Sequence, residues 1–194
     1  MKTLILPTLT AFASMTLGAF ADDKKKDEVE KSLLLAYNDY QKENYSSVVE
    51  KLREVIKLVE EKNAGKIGEI LPDKIDDWYG TDLKREDLAA VGGGVSVKRT
   101  YNQEDKSIGV KLVKDSPLID KAIEMLANKD LLNLTGKKTY TIDGETALVE
   151  GPSKVLVAID GEILLEITGD KDCKTADLVA LARKLDFKAL KKVK

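Results

Sequence analysis

The chain has 194 residues, a formal net charge of −2, no histidine and a single cysteine, Cys173. Near-balanced charge argues against the clustered basic footprint of a nucleic-acid-binding protein. The absence of histidine removes the commonest general base, the Ser-His and Cys-His nucleophiles, and the preferred ligand of zinc and copper. Cys173 can be a free thiol or form an intermolecular disulfide, so packing must stabilise the fold.

The first 21 residues have the features of an export signal. Lys2 supplies a positive start, an apolar run covers 4–17, and Ala19 and Ala21 are the small residues that a signal peptidase reads. The run is shorter than the about 20 apolar residues of a membrane span. We therefore predict a signal peptide over 1–21, cleavage after Ala21, and export without an integral membrane anchor. The periplasm is the first expected location and the extracellular space the second.

Two amphipathic helices are predicted within residues 22–66. Apolar residues three or four apart begin at Val29 and resume after a short polar interruption. Ser47 and Glu50 fit a capping box at the start of the second helix, and Gly65 suits the left-handed position after its end. The pair is predicted to be an antiparallel hairpin. The residues expected on the inward face of its second helix are Val48, Leu52, Val55, Ile56 and Val59.

This hairpin resembles a single tetratricopeptide unit. Ala36, Tyr40, Tyr45 and Val49 stand roughly where that repeat places its small and aromatic packing residues. Repeats of this kind bury a continuous core when about three are stacked, and the sequence shows no second copy. The resemblance therefore implies a hairpin that packs against the rest of the chain or against another subunit.

Residues 67–91 are predicted to be a connector. Leu71-Pro72 ends the helical pattern because proline restricts the residue before it. A brief helix is expected over 83–90. The connector is more apolar than a free linker, so we expect Trp78 to be largely buried and to latch it to the following domain.

Alternation with a period of two predicts an antiparallel sheet domain over 92–194. Two strands are expected between 95 and 112, and Ser116-Pro117 suits the start of a helix. Asp143-Gly144 and Asp160-Gly161 suit type I′ hairpin turns, which need positive φ angles. A meander is expected over 138–142, 145–150, 155–159 and 162–168, with a last helix from Thr175. The fold class is α+β, with about six strands flanked by helices.

Two further resemblances concern this architecture. From about residue 71 to 193 the order of elements resembles the Mog1/PsbP-like α/β sandwich, which bears on the fold alone. The second resemblance is to a family of uncharacterised exported bacterial proteins, and it implies a bacterial cell-envelope location without any activity. It rests on Leu71-Pro72, Asp77-Trp78, Gly92-Gly93-Gly94, Arg99-Thr100-Tyr101 and Asp115-Ser116-Pro117, behind an export signal and a helical hairpin.

The glycine run and the acidic pairs are weak candidates for a site. The glycines at 92–94 lack the preceding strand, the following helix and the Lys-Ser/Thr pair of a phosphate loop, so an entry to the sheet is favoured. Aspartates at 76, 77, 170 and 172 lack the twelve-residue spacing of a calcium loop. No catalytic residue, metal site or cofactor is predicted.

Trp78, Arg99 and Tyr101 are the speculative ligand-binding residues. Aromatic side chains line ligand sites and binding hot spots, with core packing as the alternative. Arg99 shares a strand face with Val95 and Val97, where a charge must pair, reach solvent or bind an anion.

These patterns predict a non-catalytic exported protein that acts as an interaction or docking module. Its expected partner is an envelope protein, or a second copy that associates through the helical hairpin. The alternative is a carrier or sensor that binds a small apolar or anionic ligand between sheet and helices. An enzyme with a carboxylate pair is the third hypothesis.

Overall fold

A computed structural model describes residues 27–134 and 136–193. The expected signal peptide and the charged segment 22–26 lie outside these residues. The described residues form a helix pair followed by an antiparallel sheet with helices on both faces. This confirms the α+β class, but nine strands are present among them where about six were expected.

The helix pair consists of α1 (Glu28–Gln41) and α2 (Tyr45–Glu69). Asn44 caps α2, because its side-chain oxygen accepts the backbone N–H of Ser47 at 3.5 Å. The capping box expected at Ser47 is therefore wrong. The Ser47 hydroxyl instead donates to the carboxylate of Asp39 at 2.6 Å, which ties the two helices together.

Helix α2 continues to Glu69, although residues 63–65 were expected to end it. Its last turns bury Ala64, Ile67 and Gly68 in the sheet core. Glycine inside a helix costs about 1 kcal/mol relative to alanine, and this burial outweighs that cost. Gly68 also allows a close approach, since a Cβ there would lie 2.2 Å from Cδ2 of Leu83.

The segment expected as a connector adds three short strands, β1 (Lys74–Ile75), β2 (Trp78–Gly80) and β3 (Lys84–Asp87). Strands β2 and β3 lie one after the other along the same edge of β4. The helix expected over 83–90 is wrong, apart from a 3-10 turn at Ala89–Val91. Strands β1 and β2 are too short for an alternating pattern to reveal, and β3 consists of four charged residues.

The centre of the sheet is a long hairpin of β4 (Val95–Gln103) and β5 (Lys106–Lys114). The predicted meander is confirmed, and the first and last residues of each of its four strands lie within one residue of the predicted positions. The strands of the meander are β6 (Thr139–Ile142), β7 (Glu145–Val149), β8 (Lys154–Ile159) and β9 (Ile163–Gly169). Strand β9 pairs with β5, so the order is β1-β2-β4-β5-β9-β8-β7-β6, with β3 on β4.

Both Asp-Gly turns adopt the expected backbone. Asp143 and Gly144 have φ of 48° and 87°, and Asp160 and Gly161 have φ of 53° and 69°. Two consecutive positive φ angles are what a type I′ turn requires. These turns set the register of the meander, which places alternate side chains on opposite faces.

Four short α-helices follow β5 in the described part of the chain. The helix expected from Ser116-Pro117 starts later, because residues 116–119 form a turn in which the N–H of Ile119 bonds to the Ser116 carbonyl at 3.1 Å. Its successor α4 was not expected. The four helices are α3 (Asp120–Ala127), α4 (Lys129–Leu134), α5 (Thr175–Ala182) and α6 (Phe187–Leu190).

An apolar core lies on each face of the sheet. On one face α5, α6 and the end of α2 cover a core that includes Ile67, Val97, Val110, Leu165, Leu178 and Phe187. On the other face α3 and α4 cover a smaller core that includes Val113, Leu126, Leu132, Leu148, Leu156 and Leu164. The sheet is thus buried between two helical layers.

Gly94 allows the chain to enter β4, and its replacement tests that close approach. Its φ is +108°, and a Cβ there would lie 2.6 Å from the Asp115 carbonyl oxygen. We expect Gly94→Ala to lower the free energy of unfolding by about 3 kcal/mol through strain and overpacking. Gly144→Ala is the control, since its φ is +87° but no atom lies within 4 Å of the added Cβ. It should cost about 1 kcal/mol. Equal losses in urea denaturation would contradict the close approach.

Candidate functional site

Arg99 is buried on β4, and its charge is paired. Its side chain is 10% exposed, and its guanidinium Nη1 donates to the carboxylate of Asp73, which is almost fully exposed. The Nε atom is buried without a partner among the described residues. The sequence left three alternatives for the Arg99 charge, namely pairing, reaching solvent or binding an anion. The structure shows pairing, with Asp73 of the same chain as the partner.

Tyr101 lies two residues after Arg99 on β4, so its side chain is on the same face of the sheet. It is fully buried. Its hydroxyl donates to the Pro72 carbonyl at 3.0 Å. Burial raises the pKa of this hydroxyl to about 12, while the nearby Arg99 charge opposes the rise. Strand β2 lies beside β4 in the sheet, with Gly80 paired to Tyr101, and a Cβ on Gly80 would lie 2.8 Å from Cδ of Arg99 and 3.2 Å from Cε1 of Tyr101. Arg99 and Tyr101 therefore hold the segment after α2 on the sheet.

The cavity that Trp78 lines has neither Arg99 nor Tyr101 in its described lining. Trp78 is partly buried against the sheet core, rather than largely buried as expected. It lines a cavity of about 180 Å³ with Asp76, Gln103 and Lys184 among its neighbours. The attachment of the connector to the sheet, which was expected of Trp78, thus depends on Trp78, Arg99 and Tyr101 together. A ligand-binding role for these three residues stays a prediction.

The glycine run forms the entry to the sheet rather than a loop before a helix. Gly92, Gly93 and Gly94 all have positive φ, and β4 follows directly. The backbone N–H of Gly94 donates to Oε1 of Glu60 on α2 at 2.8 Å. This bond fastens the middle of α2 to the start of β4.

Cys173 is buried in the turn before α5. Its Sγ lies 3.4 Å from the carbonyl oxygen of Ser107, to which it donates. Burial, followed by the Asp170 carboxylate, raises the pKa of this thiol. A buried, protonated thiol is inert, so the geometry opposes an intermolecular disulfide. Asp170 closes the turn by accepting the N–H groups of Ser107, Asp172 and Cys173 at 2.7 to 3.2 Å.

The helix pair exposes a continuous apolar surface that the sequence had placed inward. Helices α1 and α2 bury Ser32, Ala36 and Val55 between them. Beside this buried seam, each helix carries a row of exposed apolar side chains, and both rows lie on the same side of the helix pair. The two rows meet at Tyr40 and Tyr45, whose rings pack edge to face at 6.2 Å between centroids. We call this surface the hairpin face. Its residues, each 40% to 60% exposed, are Leu33, Tyr37, Tyr40, Tyr45, Val49, Leu52, Ile56 and Val59.

On α2 the residues of the hairpin face follow a heptad spacing. Tyr45, Val49, Leu52, Ile56 and Val59 are four, three, four and three residues apart. That 3.5-residue period is typical of a helix that packs along a second helix. Val55, which was expected on the same inward face, instead points to α1 and is buried.

A cleft borders the hairpin face. Between α2 and the chain at 87–93 lies a space of about 620 Å³, and Ile56 and Ala89 are in its lining. An adjacent space of about 300 Å³ lies between α2 and β3. Both spaces are lined by Lys57, Glu60 and Asp87, so charges of both signs surround the apolar floor.

Comparisons with known proteins add no assignment. No protein family, curated protein or solved structure matches this chain. Within residues 27–134 and 136–193, no helix combines the length and apolarity needed to cross a membrane. The same ranges contain no cluster of three or more Cys, Asp or Glu side chains arranged to hold a metal ion.

Sequence reasoning found the apolar residues of the hairpin face but not their exposure. The 4-3-4-3 spacing from Tyr45 to Val59 was present in the sequence, and it distinguishes a coiled-coil seam from the wider stripe of a core helix. For Asp73, the partner of Arg99, no spacing or motif in the sequence indicated a role.

The buried hydroxyl of Tyr101 predicts a specific pH dependence. Its pKa is about 12 when folded against 10.0 ordinarily, so the folded protein holds the proton more tightly. This contribution is complete below pH 10 and is lost as the pH rises to about 12, by up to about 1.4 kcal/mol per pH unit. Tyr101→Phe should lose about 1 kcal/mol at pH 8 through the missing hydrogen bond. It should then lose less stability than the wild type between pH 10 and 11.5.

Urea denaturation at pH 8, 10 and 11.5 measures these differences. Tyr79→Phe is the control, because Tyr79 is exposed and its loss should leave the pH dependence of the wild type unchanged. If Tyr101→Phe and the wild type lose stability in parallel above pH 10, the assigned role of Tyr101 is wrong.

Proposed function

We propose that the protein is a non-catalytic docking module of the bacterial cell envelope that binds a helical protein surface through its hairpin face. The observation that carries this proposal is the hairpin face itself, eight large apolar side chains that are 40% to 60% exposed. Contiguous apolar patches of this kind mark interaction sites in soluble proteins. The heptad spacing along α2 favours a partner that is helical.

Other features support a binding role over a catalytic one. The sequence has no histidine to act as a general base, and Cys173, its single thiol, is buried. The charge of Arg99 is paired with Asp73. The side chains with unusual surroundings are thus engaged in holding the fold.

The second candidate function is a carrier or sensor of a small ligand. The cleft beside α2 supports it, because a space of about 620 Å³ with an apolar floor is the size of a ligand site. The cleft opens next to Ile56 of the hairpin face, and Glu60 in its wall is already bound to Gly94. We therefore rank this function below docking.

We also propose a Mog1/PsbP-like assignment for the sheet domain and membership in the family of exported bacterial proteins named above. A hairpin of β4 and β5, a helical crossover, a meander and two terminal helices support the first assignment. The helical hairpin before the sheet supports the second. An experimental structure that superposes on such a sandwich, strand for strand, would test the first.

The docking role predicts position-specific cross-linking in cells. A photoreactive phenylalanine analogue at Tyr37 or Leu52 should trap a discrete protein partner, because both side chains lie in the hairpin face. The control position is Leu118, which is 58% exposed against 60% for Tyr37 but lies outside that face. Denaturing gels and mass spectrometry would detect the products. Equal trapping at Leu118, or none at Tyr37 and Leu52, would contradict the docking role.

Export predicts a processed chain. When residues 1–194 are expressed in a bacterium, the intact mass should correspond to a chain that begins at Asp22, since Ala19 and Ala21 fit the peptidase site. Ala19→Arg together with Ala21→Arg should leave the full-length mass. Ala13→Ser, within the apolar run, is the control and should be processed normally. A full-length wild-type mass would contradict export by this route.

A further inference from the structure

We propose that the occupant of the hairpin face is a second copy of the same chain, paired across a two-fold axis so that two hairpins form an antiparallel four-helix bundle. This inference rests on the proposed docking function and specifies its partner. It follows from the symmetry of the hairpin face, its width and its area.

Four of the five residues of the hairpin face on α2 are spaced as a palindrome, and the fifth, Tyr45, comes opposite Asn63. Val49, Leu52, Ile56 and Val59 lie five and two residues before, and two and five residues after, Glu54. An antiparallel copy with its two-fold axis at the level of Glu54 therefore sets Val49 opposite Val59 and Leu52 opposite Ile56, each pair occurring twice. An isologous interface must be self-complementary in this way, and side chains of similar volume meet at each level.

The hairpin face is two helices wide. Leu33, Tyr37 and Tyr40 of α1 extend the stripe of α2 at the Tyr40–Tyr45 contact. A single partner helix would leave part of this width in water, whereas a second hairpin covers it and completes a four-helix bundle. The described part of the chain contains one such hairpin, so a like surface comes from another copy.

The area is compatible with this pairing. Eight side chains of this size at about half exposure present on the order of 700 Å² per copy, close to the about 800 Å² per partner of a stable interface.

Pairing would also cover the mouth of the cleft beside α2. Ile56 belongs both to the hairpin face and to the lining of the 620 Å³ space. Its contact with Leu52 of the second copy places the partner helix beside Ala89 and Gly92, which line the same space. The cleft is thus part of the same surface.

A charge exchange across the two-fold axis tests the proposal. The protein is expressed from residues 1–194, so that the predicted signal peptide is processed, and is studied by sedimentation velocity from about 1 to 100 µM. The wild type should sediment as a dimer in the upper part of this range. Leu52→Lys and Ile56→Glu should each weaken self-association at least tenfold, because each puts two charges opposite apolar side chains.

An equimolar mixture of the two variants should form a heterodimer. In it the new Lys at 52 lies opposite the new Glu at 56, and the other level keeps its Leu–Ile contact. Leu118→Lys, at an exposed site outside the hairpin face, is the control and should dimerise like the wild type. Circular dichroism checks that each variant is folded. We expect folding because Leu52 and Ile56 are exposed in the isolated chain.

Each outcome decides between the inference and the function on which it rests. A wild type that is monomeric at 100 µM, a dimer that both single variants leave intact, or a mixture that stays monomeric overturns the second-copy proposal. If cross-linking at Tyr37 and Leu52 then traps a different protein, docking stands with another partner. If the wild type is monomeric and nothing is trapped, both proposals fail.

Discussion

The rest of the structure depends on the anchoring of one long helix, α2. Its last turns bury Ala64 and Ile67 in the sheet core, and Glu60 accepts the N–H of Gly94 where β4 begins. The helix then continues unbroken toward its N-terminus, where it pairs with α1. Because the helix is continuous, its anchored C-terminal turns also fix the direction of its N-terminal turns, which do not contact the sheet core. The hairpin face is therefore presented in a direction that the sheet determines.

The sequence predicted those parts of the fold that rest on local rules. The meander was placed to within one residue because Asp-Gly turns impose a backbone that few other pairs adopt, and because alternation is visible in strands of four or more residues. The end of α2 was missed since Gly65 signals a helix end locally, whereas the burial of Ile67 is a long-range effect. β3 was missed for a similar reason. Its four charged residues at the sheet edge suit an edge strand but not a strand pattern.

The candidate site was predictable only in part. The sequence identified Arg99 as a charge on an apolar strand face, and its pairing is the expected resolution of that conflict. The partner could not be found, because Asp73 reaches Arg99 through the path of the chain after α2. Hydrophobic periodicity likewise showed that the hairpin is amphipathic. It could not show that the described part of the chain leaves one apolar stripe uncovered, since periodicity identifies a face without identifying what packs on it.

The two helices of the hairpin differ in what holds them. Helix α2 shares its C-terminal turns with the sheet core, whereas α1 packs on α2 through small residues, Ser32 and Ala36, and through polar bonds such as that between Ser47 and Asp39. Small residues let helices approach closely but remove little apolar surface from water, and short helices owe their stability mainly to tertiary packing. Leu33, Tyr37 and Tyr40 hold most of the apolar surface that α1 could still bury. A partner on the hairpin face would thus stabilise α1 directly, because none of the buried residues of α1 belongs to the sheet core.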